Sequence, residues 1–246
     1  MVISVNIVLV GSNVASMLLA HRLSTEHNVI IVEQEAEVGM PVRHPGLVHD
    51  LELLSEFIPT RHQHVLQLQH NPSIDAFGCR WEWVCKLLVI ELTRRGVNVR
   101  TRARIVGSTT TDDDVVCLHL VTSLGDDVLY ADRVVDMRYG VNGPGSTQHM
   151  LDTDHIVSWS RPTMAKAHGM VVLKEESANA PSATLIVHRK DGTSEVWWQQ
   201  TPSWTPLHGA LERMNGQLPK DASLWSFDEA QQFACIAYDA VAFDRI

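Results

Sequence analysis

The first residues that could do chemistry are a glycine turn near the amino terminus and an acid that follows it. Residues 11–16 (Gly-Ser-Asn-Val-Ala-Ser) come directly after an apolar run and open a segment of helical character. A glycine at that point allows a tight turn, and the amino end of the next helix attracts phosphate groups. Glu33 stands 22 residues after Gly11, where a carboxylate can accept hydrogen bonds from ribose hydroxyls. This spacing predicts a nucleotide site.

The glycine turn meets the demands of a phosphate-binding turn only in part. Gly11 supplies the tight turn. Asn13 stands where a second glycine would let the backbone approach the phosphates, and its side chain would intrude there. The third position of the pattern needs a small residue so that helix and strand can pack closely, and Ser16 meets this need in part. The alternative is a strand–helix–strand unit with no ligand, in which Glu33 is a solvated strand end.

Hydrophobic runs predict the elements that must position these residues. We expect four buried strands to lie side by side in one mostly parallel sheet, at residues 2–10, 28–33, 97–102 and 133–136. The segment 14–23 between the first two is helical, so the chain opens with a strand–helix–strand unit. A second helix is predicted over 80–95, with Gly96 as its stop.

The rest of the chain is predicted to be mainly antiparallel. Strands are expected at residues 64–70, 115–121, 127–130, 169–174, 183–189 and 194–200. Lys190–Gly192 is a predicted hairpin turn, and residues 140–146 are a predicted loop. Helices are expected near 51–57 and over 227–243, and Ser226 with Glu229 forms a capping-box pattern at the start of the second.

A wider pattern of order and spacing resembles a known family of flavoproteins. After the opening unit come residues 37–46 (EVGMPVRHPG), and then Arg80-Trp81-Glu82-Trp83 enters the helix that stops at Gly96. The strand at 97–102 and residues 131–136 (ADRVVD) follow in the same order. Over roughly residues 1–145 the chain resembles FAD-dependent flavoproteins of the geranylgeranyl-reductase and aromatic-hydroxylase types.

The resemblance implies a cofactor, FAD, and roles for named residues. The FAD diphosphate would lie at the amino end of the first helix, beside Gly11, Asn13, Ala15 and Ser16, with Glu33 on the adenosine ribose. Arg43 and Arg80 would approach the cofactor, and the backbone of Ile105 and Val106 would lie near the adenine. The substrate would be an apolar or lipid-like small molecule, with NAD(P)H as the candidate electron donor.

The fold class that follows is α/β. We expect a Rossmann-like FAD/NAD(P)-binding core with an interleaved, mainly antiparallel β-sheet substrate domain. The core would cover residues 1–150, with 39–75 contributing partly to the second domain. The second domain would cover residues 151–246, as an antiparallel sheet plus the C-terminal helix.

The sequence departs from the flavoprotein pattern at three places. Asn13 replaces the second glycine, and Met137-Arg138-Tyr139 replaces an Ala-Asp-Gly motif. The later Gly-Asp motif, which contacts the ribityl chain and the flavin in the family, has no match before Ile246. The leading hypothesis is an FAD-binding oxidoreductase-like protein whose catalytic residues are not identified. The alternatives are a flavin-free relative that serves as a binding or scaffold protein, and a protein that binds only an adenine nucleotide.

Composition excludes several other classes. Of 246 residues, 45% are hydrophobic, which is too many for a globally disordered chain, and the net charge of −9 argues against a nucleic-acid binder that relies on positive charge. The four cysteines lack CxxC spacing and predict reduced thiols in a cytoplasmic protein. No apolar run reaches the roughly 20 residues of a membrane span.

Two further groups of residues have ordinary as well as functional interpretations. Histidines are dense between residues 44 and 70, but no Cys or paired carboxylate completes a metal set at a recognisable spacing, so no metal is predicted. Trp197 or Trp198 could line a substrate cavity, because adjacent strand residues face opposite sides of a sheet. The alternative for both tryptophans is core packing.

Overall fold

The computed structural model describes residues 4–138, 156–157 and 159–243. Its strands are β1 (Asn6–Val10), β2 (Asn28–Val32), β3 (Leu47–Val48), β4 (Gln69–Asn71), β5 (Ala76–Gly78), β6 (Asn98–Arg100), β7 (Arg104–Thr110), β8 (Val116–Thr122), β9 (Gly125–Ala131), β10 (Arg133–Asp136), β11 (Met164–Leu173), β12 (Leu185–His188), β13 (Thr193–Trp198) and β14 (Glu212–Pro219). Its α-helices are α1 (Val14–Leu23), α2 (Leu51–Phe57), α3 (Trp81–Arg94), α4 (Lys174–Ser177) and α5 (Phe227–Phe243). Short 3₁₀ helices cover Thr60–Leu66 and Ala222–Leu224.

Four strands form one parallel sheet in the order β10-β1-β2-β6. The register places Val8 opposite Val134 on one side and opposite Ile30 on the other. β1 is a continuous apolar run because it is buried on both faces of the sheet. The expectation of side-by-side parallel strands is confirmed. Since the strands are parallel, the segments that follow β1, β2 and β10 all begin at one edge.

An antiparallel sheet of β7, β8 and β9 shares an apolar core with the parallel sheet. The residues of this core from the parallel sheet include Val8, Val32 and Val134, and those from the antiparallel sheet include Ile105, Leu118, Leu120 and Leu129. The register of β7 is irregular between Ile105 and Gly107, so Val106 lies at a bulge. The bulge bends the first strand of the antiparallel sheet.

The chain forms two compact, interleaved units. The first comprises Met1–Val38, Leu88–Arg161 and Gln231–Ile246, and the second comprises Gly39–Leu87 and Pro162–Ala230. The fold is α/β, with the parallel sheet in the first unit and antiparallel sheets in both. The domain boundary expected at residue 150 falls outside the described residues, as does the loop expected at 140–146.

The second unit contains a sheet in the order β12-β13-β11-β14 and a smaller sheet in the order β3-β5-β4, both antiparallel. The hairpin turn at Lys190–Gly192 is confirmed, with Gly192 at a φ of 82°. β14 has no counterpart in the sequence prediction, because its Asn215-Gly216 pair is typical of turns. Gly216 is required in this strand, since a Cβ there would lie 2.2 Å from the carbonyl oxygen of Arg43.

The strand expected at 64–70 is wrong over most of its length. The chain forms a 3₁₀ helix to Leu66 and becomes extended only at Gln69. The Gln63 amide donates to the Ser55 hydroxyl and to the Ile58 carbonyl, at 2.9 Å each, and these bonds stabilise the turn. Gln67 then takes a left-handed conformation with a φ of 56°. His62 and His64 therefore lie in a 3₁₀ helix and not on one face of a strand.

The helix signals in the sequence are confirmed at both long helices. Gly96 ends α3 at a φ of 87°, and the N–H of Val97 donates to the carbonyl of Leu92 at 3.1 Å, which is the bond of a Schellman motif. At the start of α5, the Ser226 hydroxyl accepts from the N–H of Glu229 at 3.2 Å. Over the described part of the chain, no helix is both long and apolar enough to cross a membrane.

A buried ion pair anchors the second unit. Arg189 Nη1 lies 3.2 Å from Glu195 Oε1, and the two side chains are 7% and 1% exposed. Glu195 Oε2 accepts from the Gly46 N–H and from Trp197 Nε1, at 3.0 Å each. Burial raises the pKa of Glu195 above its ordinary value although Arg189 opposes that shift. The Glu195 carboxylate therefore links the segment around Gly46 to β13 by a hydrogen bond.

Replacing Arg189 with Met should destabilise the protein by about 3–5 kcal/mol at neutral pH, because Glu195 would be left as an unpaired buried charge. Its folded pKa would rise further above the unfolded value, so the loss should shrink as pH falls through that window and Glu195 becomes protonated. Urea unfolding at pH 5 and pH 8 measures both effects. The exposed Arg94→Met variant is the control and should lose less than about 1 kcal/mol. A loss in R189M that does not depend on pH would contradict this account.

Candidate functional site

The turn after β1 is built around Gly11. Its φ is 95°, and its N–H donates to the carbonyl of Val32 at 2.9 Å. A Cβ at this position would lie 2.9 Å from Arg138 Cγ, so both the backbone angle and the space require glycine. The chain thus turns directly into α1 at the carboxyl edge of the parallel sheet.

Glu33 is bonded to this turn rather than left as a solvated strand end. Its Oε2 accepts from the Ser12 N–H at 2.9 Å and from the Ser12 hydroxyl at 2.6 Å. Its Oε1 accepts from the N–H of Glu35 at 3.0 Å. Each carboxylate oxygen can accept two hydrogen bonds, so Oε1 retains capacity for a hydroxyl group. The arrangement holds the acid in place beside the amino end of α1.

Asn13 is the N-cap of α1. Its Oδ1 accepts from the Ser16 N–H at 2.9 Å, and its amide nitrogen donates to the carbonyl of Met137. The side chain that was expected to intrude on the phosphates instead joins the helix to the segment after β10. Ala15 and Ser16 are fully buried behind it. Among the described residues, the Ser16 hydroxyl has no hydrogen-bond partner.

The carboxyl end of β10 carries a group of residues that the sequence did not single out as a site. Asp136 binds Arg138 through two contacts, from Nε at 2.9 Å and from Nη2 at 2.7 Å. The carbonyl of Asp136 accepts from Trp159 Nε1 at 3.1 Å and from the Arg161 guanidinium. Trp159 and Arg161 are more than 20 residues away along the chain, so no local pattern could have found them.

The remaining predicted residues lie elsewhere. Val106 is half-buried in β7, and the chain enters β7 beside Glu33 because the N–H of Ala103 donates to the carbonyl of Glu33 at 3.0 Å. Arg43 and Arg80 belong to the second unit. Arg43 is exposed, and Arg80 pairs with Glu82 at 2.6 Å. The structure thus brings Gly11, Asn13, Ala15, Ser16 and Glu33 together with Arg138 at one sheet edge.

The cysteines and histidines of the second unit do not form a reactive group. Burial raises the pKa of Cys85 to about 12, which keeps its thiol protonated. His44 stacks on Trp81 with ring centroids 4.3 Å apart, and burial lowers its pKa to about 4. In the described ranges, no three His, Cys, Asp or Glu side chains are grouped as a metal site would need.

The two tryptophans of β13 have different surroundings. Trp197 is fully buried, with its ring centroid 6.4 Å from that of Trp225, as in core packing. Trp198 forms part of a depression of about 420 Å³, together with Pro181, Ser182, Thr184, Gln199, Gln200, Thr201, Pro202 and Ser203. Most of these side chains are uncharged and polar, so this depression is not an apolar cavity.

Comparisons with known proteins identify the fold. No model of a protein family matches the chain, and no curated protein sequence does. Among solved structures, a flavoprotein/dehydrogenase from Cytophaga hutchinsonii matches with a TM-score of 0.65 at 13% identity, over 99% of this chain and 79% of that one. A geranylgeranyl bacteriochlorophyll reductase-like protein from Thermoplasma acidophilum matches with 0.64 at 11%, over 98% and 79%.

The aromatic hydroxylase CabE of angucycline biosynthesis matches with a TM-score of 0.55 at 12% identity, over 87% of this chain and 52% of that one. This chain has the same fold as these proteins. It spans only about half the length of some of the flavoproteins it matches, as for CabE. The resemblance found in the sequence to reductase-type and hydroxylase-type flavoproteins is confirmed at the level of the fold.

FAD is the cofactor that the resemblance in the sequence implies, and the residues of the turn are compatible with its adenosine diphosphate part. Glu33 Oε1 has capacity for a ribose hydroxyl, and the buried Ser16 hydroxyl is unpartnered among the described residues. The amino end of α1 faces the same edge. The flavin part has no counterpart motif, because the sequence contains no Gly-Asp pair after β10.

Replacing Asn13 with Ala should lower stability by about 1–2 kcal/mol, because α1 would lose its N-cap and the Met137 carbonyl would lose a donor. Asn13→Ser should lose less, since a serine hydroxyl still caps a helix. Thermal and urea unfolding of the three proteins provide the measurement. Equal losses in the two variants would show that the cap contributes nothing.

Proposed function

We propose that this protein binds FAD at the Gly11 turn and acts as an oxidoreductase on a small molecule. The observation that carries the proposal is the position of Glu33, which follows β2 and is bonded to Ser12 in the turn that opens α1. In a parallel sheet of this kind, ligands bind outside the carboxyl ends of the strands, and an acid after the second strand receives the ribose. The flavoprotein fold supports the same cofactor.

The residues proposed to hold FAD follow from this placement. Glu33 would accept from the ribose, and Gly11, Asn13, Ala15 and Ser16 would border the diphosphate. Ile105 and Val106 would lie near the adenine, and Arg43 and Arg80 would be further contacts. FAD supplies the redox chemistry in such proteins, while the protein binds and orients it. The proposal extends to an apolar or lipid-like substrate, NAD(P)H as the electron donor and a cytoplasmic location.

A second candidate function is favoured by one observation at the same edge. Arg138 stands where the flavoprotein pattern has an acid, and it pairs with Asp136 directly against Gly11. This exchange of charge favours a protein that binds an adenine nucleotide without flavin. A flavin-free protein that serves as a scaffold shares the same support.

The absorption spectrum of the purified full chain separates these functions. Bands of oxidised flavin, before or after incubation with FAD, would support the first function. Calorimetric binding of ADP without any flavin signal would support the nucleotide binder. A colourless protein that binds neither ligand would leave the scaffold function and contradict both binding proposals.

Replacing Glu33 with Ala should weaken the binding of FAD or ADP by roughly 5- to 150-fold, the equivalent of about 1–3 kcal/mol, because a ribose hydroxyl would lose its charged acceptor. Isothermal calorimetry measures the change. Ser12→Ala is the matched control for the turn, because it removes one hydrogen bond to Glu33 and keeps the carboxylate. Glu26→Ala controls for charge at an exposed position. Unchanged affinity in E33A would remove Glu33 from the site.

A further inference from the structure

Two guanidinium groups meet at the carboxyl end of β10. Arg138 binds the carboxylate of Asp136, and Arg161 donates to the carbonyl of the same residue. Arg161 also lies over the ring of Trp159, 5.4 Å from its centroid. Arg138 is at the same time in contact with the turn, because its Cγ lies where a Cβ of Gly11 would clash.

The hydrogen-bonding capacity of these two groups is only partly used. A guanidinium has five N–H donors, and the pairing of Arg138 with Asp136 uses Nε and one N–H of Nη2. Among the described residues, the Nη1/Nη2 end of that guanidinium retains the two-donor geometry that suits a phosphate. Within the described residues, Arg161 pairs with a carbonyl and an indole rather than with a carboxylate, and it is exposed. Among the described residues, the Asp136 carboxylate thus pairs with Arg138 alone, while Arg161 binds the backbone carbonyl of the same residue.

The strand order separates this positive group from the acid. Because the order is β10-β1-β2, the turn after β1 has Arg138 on its β10 side and Glu33 on its β2 side. Adjacent strands are about 4.8 Å apart, so β10 and β2 are separated by roughly 10 Å. Glu33 is bonded to this turn through Ser12, and both of its oxygens already accept backbone N–H groups. The Ser16 hydroxyl, in the first turn of α1, is buried and has no hydrogen-bond partner among the described residues.

We infer that Arg138 and Arg161 form a phosphate-binding site on the β10 side of the turn, for the diphosphate of an adenine nucleotide whose ribose is held by Glu33. This inference rests on the proposed function in that it assigns the phosphate contacts of the same site. In the flavoprotein pattern, the backbone at the second glycine approaches the phosphates. Asn13 occupies that position in this chain, and the two arginine side chains would bind the phosphates instead. The site is selective for nucleotides with phosphate over the bare nucleoside.

Calorimetry on the full chain tests the site with four probes: adenosine, ADP, inorganic pyrophosphate and FAD. Arg161→Gln removes an exposed cation, and Arg138→Lys keeps the charge but loses the two-donor geometry. Each variant should weaken ADP and pyrophosphate binding about 10- to 100-fold, as expected for hydrogen bonds to a charged group. Adenosine binding should not change. Arg94→Gln, at the end of α3, is the control for net charge, and unfolding curves verify that each variant is folded.

The outcomes separate this inference from the proposed function. Weaker ADP and pyrophosphate binding in both arginine variants, with weaker binding at high salt, supports the site. The same result without any binding of FAD supports the site and rejects the flavin part of the proposed function. FAD and ADP binding that is equal in all variants overturns the site and leaves the proposed function intact. A wild-type protein that binds FAD but neither ADP nor pyrophosphate overturns the site alone, and one that binds none of the three overturns both.

Discussion

The candidate site depends on the parallel pairing of β1 with β2 and with β10. Parallel strands end at the same edge, so three segments that are distant in sequence begin next to one another. The register sets Val10 opposite both Val32 and Asp136, so the three strands end level with one another. Without this register, Gly11, Glu33 and Asp136 would have no reason to meet.

Several polar groups at that edge are satisfied by local hydrogen bonds that link its segments. A helix leaves its first N–H groups without internal partners, and Asn13 supplies one acceptor to α1. The same side chain reaches Met137, so the cap also links α1 to the segment after β10. On the β2 side, Glu33 accepts two hydrogen bonds from Ser12 and so links the end of β2 to the turn before α1. A prepared edge of this kind limits the reorganisation that a nucleotide would require on binding.

The second unit has a different organising interaction, the buried pair of Arg189 and Glu195. A charge in such a place is costly unless each oxygen is bonded, and Glu195 receives Arg189, Trp197 and the Gly46 N–H. The Gly46 segment leads to β3, which pairs with β5 in the smaller sheet. The Glu195 carboxylate thus joins β13 to the loop before the smaller sheet. It also binds the indole N–H of Trp197, which is consistent with the buried position of that side chain in the core.

The sequence alone determined the elements whose signals are local. The apolar runs of β1 and β2, the stop at Gly96 and the cap at Ser226 were readable because backbone preferences and burial periodicity act over a few residues. Their association in one mostly parallel sheet was predicted from those runs, whereas the order β10-β1-β2-β6 came from the tertiary structure. Only the tertiary structure decided what depends on long-range contacts. β14 was hidden because its Asn-Gly pair favours a turn until β11 and the Arg43 carbonyl constrain it. Likewise, Arg138 and Arg161 have no common pattern along the chain, and they become neighbours because both donate to Asp136 at the end of a parallel strand.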